Sequence, residues 1–171
     1  AGVNQKMLNW AAHIAKQLNG DLLELYCGNA NFSLALAPYF KQVVATEISR
    51  TSIKSAQYNI ALNNIDNVEV LQMSAEDVAK SLENGTALKQ LELAGMALNT
   101  VLVDPPRAGL DPDTVNLVSR FENVIYISCN PDTLAVNLQS LDSTHRILQT
   151  ALFDQFPYSH HVETGVWLQK R

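Results

Sequence analysis

Four residues in this chain could do chemistry where they stand. Cys129 follows the apolar run Val124-Ile125-Tyr126-Ile127 and precedes Asn130-Pro131. A free cysteine is most often a small buried hydrophobe. One at the exit of a strand, in front of a helix, occupies the rim where open α/β sheets bind ligands, and a thiolate there is a nucleophile. Asp104 ends another apolar run and is followed by Pro105-Pro106. Two prolines hold the backbone extended and remove two N–H donors, so the carboxylate is fixed; a simple strand terminator is the alternative. Glu47 lies at the end of "VVATE", 19 positions after Gly28 in "YCGNAN". A small-residue turn after one strand and an acidic residue about 20 positions on is the arrangement that holds a ribose. Glu163 follows His160-His161 in a stretch otherwise turning apolar, where a carboxylate is unexpected.

Alternation of strands and helices must position these groups. Met7, Trp10, Ala11, Ile14, Ala15 and Leu18 recur at helical spacing, with Asn19-Gly20 as a stop. Leu22–Tyr26 reads as a strand, Asn31–Phe40 as a helix and Val43–Thr46 as a strand. A helix over about Ser52 to Asn63, a strand over Val68–Met73 and a helix near Ala75–Leu82 follow. Residues 84–98 carry no periodicity and read as an irregular insertion. Thr100–Val103 is a strand. Asp111-Pro112 supplies an N-cap and a first-turn proline for a helix to about Phe121. Val124–Ile127 and Asp132–Leu141 form the next strand and helix. Ile147–Phe153 and Val162–Gln169 are strands joined by a short connection, so they should pair antiparallel. The expectation is one α/β domain with a Rossmann-like, mostly parallel seven-stranded sheet and an antiparallel last strand.

Gly28 and Glu47 together point to a nucleoside cofactor. The loop reads G-x-A rather than the full G-x-G-x-x-G. That departure and the antiparallel ending favour S-adenosylmethionine over a dinucleotide. If the strand order is 3-2-1-4-5, that of the sheets that bind this cofactor, Cys27 and Cys129 lie two strands apart, about 10 Å at ~4.8 Å per strand, too far for a disulfide.

Composition narrows the setting. The chain has 171 residues, 47% of them hydrophobic, enough for a full core. Its two cysteines cannot build a disulfide framework or a four-ligand metal site, so no metal and a cytoplasmic setting are expected. No apolar run approaches the ~20 residues of a membrane span. A net charge of −5 argues against strong nucleic-acid binding by this chain alone.

"ELYCGNANFSLALA", "VDPPRAGL", "ISCNPDTL" and "FDQFPYSHHVETGV" resemble, in order and over essentially the whole chain, the RNA 5-methyluridine methyltransferases, above all the tRNA (uracil-5-)-methyltransferases. The resemblance implies methyl transfer from S-adenosylmethionine to C5 of the T-loop uridine of tRNA. It implies Cys129 as the nucleophile that adds to C6 and Glu163 as the base that removes the C5 proton. It assigns Tyr26, Asn31, Glu47 and Asp104 to the cofactor, with Gly28 and Asn29 shaping its loop. The family glycine is replaced by Ala30, which would be strained if that position needs positive φ. Thr164, commonly cysteine in relatives, reads as packing. An F-x-Q-x-N segment with a site glutamine precedes the first helix in the family. The chain starts beyond it and is therefore expected to be the catalytic domain of a larger enzyme, without its N-terminal β-rich domain. The rival readings are an rRNA-directed relative, an exocyclic-amine methyltransferase and a non-catalytic RNA-binding or chaperone module. The amine enzymes usually place an aromatic residue where Arg107 stands and need no thiol.

Overall fold

A computed structural model describes residues 2–84, 95–154 and 162–171, with no account of the side chains of 82–84. The seven strands are β1 (Asp21–Leu25), β2 (Val43–Glu47), β3 (Val68–Gln72), β4 (Leu98–Val103), β5 (Asn123–Ser128), β6 (His145–Asp154) and β7 (Val162–Lys170). The helices are α1 (Gly2–Ala15), α2 (Asn31–Leu36), α3 (Arg50–Leu62), α4 (Ala75–Asn84), α5 (Pro112–Val118) and α6 (Pro131–Leu141). The strands form one sheet in the order β3-β2-β1-β4-β5-β7-β6. Strands β3, β2, β1, β4 and β5 are parallel, and β7 pairs antiparallel with both β5 and β6. The expected 3-2-1-4-5 order and antiparallel ending are therefore present, with β7 inserted between β5 and β6.

Helices cover both faces of the sheet. Leu23, Leu25, Val101, Val103, Val124 and Tyr126 belong to one core cluster. Their alternate neighbours Leu22, Leu102, Ile125 and Ile127 join Met7, Ala11 and Ile14 of α1 and Phe32 of α2 in the other. Every residue of β5 is buried, as expected of a central strand covered on both faces.

Several boundaries differ from the sequence reading, each for a local reason. The helix expected over Asn31–Phe40 stops at Leu36, and Ala37–Tyr39 continues as a single 3-10 turn with Pro38 inside it; proline cannot supply the N–H an α-helix needs there. Helix α1 begins at Gly2 and ends at Ala15, because Gln17 and Leu18 turn back with i−3 bonds of 2.9 and 3.0 Å. Helix α5 ends at Val118, and Arg120 and Phe121 close a tighter turn onto Leu117 and Val118. Its start follows expectation, with Thr114 N–H donating to the Asp111 carboxylate at 3.0 Å. Residues 85–94 of the stretch read as an insertion lie outside the described residues, while Leu98 and Asn99 extend β4. Among the described residues no helix is long and apolar enough to cross a membrane.

Candidate active site

Strand exits β1, β2, β4 and β5 share one edge of the sheet, and the chain leaves β1 in an unusual conformation. Tyr26, Gly28 and Ala30 have φ of 59°, 54° and 65°. Left-handed backbone costs a residue with a Cβ roughly 1–2 kcal/mol, so Tyr26 and Ala30 hold strain that the surrounding packing must enforce. The concern raised by Ala30 is thus met: its position takes the conformation glycine prefers. Replacing it with glycine relieves that strain but adds about 0.5–1 kcal/mol of chain entropy cost and removes a buried methyl. The expected outcome in urea melts is a near-neutral Ala30→Gly and an Ala30→Val destabilised by at least ~2 kcal/mol, since a β-branched side chain tolerates positive φ worst.

The glycine loop and the second strand are tied directly together. Gly28 N–H donates to Glu47 Oε2 at 2.9 Å, and Oε1 accepts from Ile48 N–H at 2.8 Å and Ser49 N–H at 2.9 Å. Three backbone amides therefore fix this carboxylate. Tyr26 and Glu47 line a cavity of about 260 Å³ that Ile48, Met73, Glu76 and Pro106 complete. Ile48, Met73 and Glu76 were missed in the sequence, while Pro106 was singled out only as fixing the exit of its strand. Met73 and Glu76 sit where β3 gives way to α4, a third strand exit to which the same rule applied; Ile48 is an exposed apolar residue in a turn beside Glu47. Asn31 opens α2 on the exposed side.

The loop after β4 is locked to α6. Asn130 Nδ2 and Thr133 Oγ1 donate to Arg107 O at 2.9 and 3.1 Å. Leu110 N–H donates to Asn137 Oδ1 at 2.9 Å, and Asn137 Nδ2 returns a bond to Leu110 O at 3.1 Å. Gly109, at φ 75°, lies so close to Asn137 that a Cβ would approach Oδ1 to 2.8 Å. Asn130 also caps α6 through Asp132 N–H at 3.1 Å, so one side chain fixes the turn containing Cys129.

Register brings the two expected chemical groups together. Ser128 is paired with Thr164 across the antiparallel β5–β7 ladder. Cys129 directly follows Ser128 and Glu163 directly precedes Thr164, so both stand at the end of that ladder, close enough for the Glu163 charge to act on the Cys129 thiol. Glu24 and Glu163 face the α1–α2 side by strand alternation, and Asp104 and Cys129, one residue beyond their strands, continue that face. These four come from neighbouring strands β1, β7, β4 and β5.

Electrostatics follow from that row. Cys129 is only partly buried, and its thiol is pushed up from its ordinary value by that burial, then by the charges of Glu163 and Asp104; its own backbone amide and the Arg107 guanidinium pull down. Burial raises the Asp104 carboxyl to about 7, with Glu163 adding to the effect. Glu24 is 1% exposed. Its carboxyl rises to about 8, mainly through burial, opposed by the hydrogen bond from the Ser33 hydroxyl. The sequence reading passed over Glu24, although a charged residue inside Asp21-Leu22-Leu23-Glu24-Leu25 is itself a signal. Both cysteines are free thiols; Cys27 is buried, and burial raises its thiol further from use. Among the described residues no group of His, Cys, Asp and Glu is arranged to hold a metal. His160 and His161 lie outside the described residues.

The family model for tRNA (uracil-5-)-methyltransferase matches residues 1–171. A protein of Actinobacillus pleuropneumoniae serotype 3 named tRNA/tmRNA (uracil-C(5))-methyltransferase is 57% identical over all of this chain, which covers 47% of that protein. One of the same name from Pseudoalteromonas atlantica is 56% identical, with the chain covering 48% of it. The chain thus spans about half the length of the curated relatives it matches. The structure of the Pyrococcus abyssi tRNA (uracil-54, C5)-methyltransferase with S-adenosyl-L-homocysteine superposes with a TM-score of 0.75 at 30% identity, over 95% of this chain and 38% of that one. An N-methyltransferase from Bradyrhizobium japonicum shares the fold at TM-score 0.72 with 10% identity. The fold is that of the class I S-adenosylmethionine-dependent methyltransferases, and the chain belongs to the tRNA (uracil-5-)-methyltransferase family.

Proposed function

We propose that this chain is the catalytic domain of an enzyme that methylates C5 of the T-loop uridine of tRNA, using S-adenosylmethionine. The observation that supports the reading is that the β5–β7 ladder ends at Ser128 and Thr164, next to Cys129 and Glu163, with the Glu163 charge acting on the Cys129 thiol, at the rim beside the Tyr26–Glu47 cavity. The names of relatives above 50% identity support tRNA rather than rRNA as the target.

Uracil C5 is a poor nucleophile unaided. In the proposed sequence Cys129 thiolate adds to C6, and the C5=C6 π electrons move onto C5 and the O4 enolate. When bound, S-adenosylmethionine supplies an electrophilic methyl group on a sulfonium and leaves as the neutral thioether. Glu163 then takes the C5 proton, the C5–H electrons re-form C5=C6, and the C6–S bond breaks to return the thiolate. Splitting one hard substitution into addition, transfer and elimination is covalent catalysis. Asp104 and Arg107 hold the rim between cofactor and base; the target nucleotide must be turned out of its loop to reach it.

The residues present fit this cofactor. A cation suits a rim where Asp104 and Glu163 meet, and the amide-fixed Glu47 has the position to accept ribose hydroxyls. Tyr26, Gly28, Asn31, Glu47 and Asp104 are the proposed cofactor residues. One consequence is a pH dependence. Asp104 is mostly protonated below about 7, and a sulfonium favours its ionised form, so binding releases a proton. Affinity should therefore rise by about tenfold between pH 6 and pH 8, the span over which a group of that pKa ionises. Titration calorimetry of the full-length protein checks this, and Asp104→Asn should flatten the profile.

The reaction itself is tested with tRNA containing 5-fluorouridine, whose C5 carries no removable proton after methylation. A covalent protein–RNA band that needs cofactor and survives denaturation is expected. Absence of the band, with tRNA and cofactor both bound, would overturn the covalent route.

A further inference from the structure

Glycine at 165 is explained by space rather than by backbone conformation. A Cβ built there would lie 2.7 Å from Trp10 Cζ3 and 2.8 Å from Cη2, closer than real Cβ atoms approach. The indole of α1 thus lies directly on the bare backbone of β7. Glu163, Gly165 and Trp167 share one face of that strand by alternation. The same ring also meets Phe153 edge-on, with centroids 5.9 Å apart and planes at 71°. Phe153 is paired with Glu163 across the β6–β7 ladder. Trp10 therefore touches the backbone two residues from Glu163 on one side and that residue's cross-strand neighbour on the other. Its buried indole N–H has no hydrogen-bond partner among the described residues, and the contacts described for the ring are the apolar ones with Gly165 and Phe153.

We propose that Trp10 is a positioning residue for Glu163: wedged between Gly165 and Phe153, it sets the height and angle at which that carboxylate stands over the target base. The inference rests on the reading of Glu163 as the proton acceptor. A base must sit within hydrogen-bond reach of its proton, and an error near 1 Å in such a group costs on the order of 10²-fold in rate. Trp10 reaches no substrate; it acts through the strand.

The test uses the full-length enzyme and follows two steps separately, formation of the methylated protein–RNA adduct and its release. Gly165→Ala pushes a methyl into the ring. It should slow release on the order of 10²-fold while adduct formation and cofactor affinity stay near those of the parent, with the melting temperature lowered by the overpacking. Adding Trp10→Leu vacates the space and should recover at least about a tenth of the parent rate. If Gly165→Ala does not fold, Trp10→Phe replaces it, with release slowed about tenfold and adduct formation kept. A folded Gly165→Ala or Trp10→Phe that releases RNA within about twofold of the parent overturns the proposal, as does a double variant no faster than Gly165→Ala. Normal release by Glu163→Gln would instead defeat the reading beneath it, which keeps the two failures apart.

Discussion

Changing Glu163 to glutamine in the full-length enzyme should leave a methylated RNA joined to Cys129. The substitution keeps the size and hydrogen-bonding reach of the side chain and removes its basicity. Addition to C6 and methyl transfer both precede the need for a base, so they should proceed. Elimination should stall, and because general base catalysis contributes about 10²–10⁴-fold, release should slow by that factor. Labelled cofactor and unmodified tRNA on a denaturing gel would show a labelled protein–RNA band. A variant that turns over normally, or one that binds both substrates and forms no adduct, removes Glu163 from this role. The same change has a second effect of opposite sign. Glu163 is among the charges that hold the Cys129 thiol up, so its neutralisation should make thiolate more available and adduct formation faster at pH 7.

Cys129→Ala should abolish methyl transfer, with no adduct and no release to measure, while the fold survives. The side chain is only partly buried and sits past the end of β5, so losing one sulfur costs little packing. Circular dichroism and cofactor binding should match the parent. Cys27→Ala should retain activity, because that thiol is buried and raised further from ionisation. Loss of activity in the Cys27 variant with an active Cys129 variant would reverse the assignment.

The sequence carried the antiparallel ending and the two ends of the Gly28–Glu47 bond, because each follows from local rules: a short connection, turn chemistry and spacing; the strand order was legible only through likeness to methyltransferase sheets. The sequence carried Cys129 as a candidate nucleophile by its place at a strand exit, but the role of Glu163 only through a resemblance, since nothing local brings residues 34 positions apart together. What it could not carry was contact made by shape. Nothing in Trp10 or Gly165 alone says that one rests on the other. Glu24 was hidden differently, since its meaning depends on the Ser33 hydroxyl that reaches it from α2. Pro38, by contrast, was legible and was read past.

The place of β7 has a consequence for how such a protein comes into being. The strand that brings the proposed base is the final one in this sequence, yet it takes an inner place, between buried β5 and the outer strand β6. Until it inserts, β5 presents an unpaired edge of Val124, Ile125, Tyr126 and Ile127, the kind of apolar edge that joins other chains. On a ribosome the thiol is therefore made before its partner. The proposed reactive pair assembles only when β7 enters the sheet, so filling that place in the sheet and bringing the proposed base to the thiol are one event.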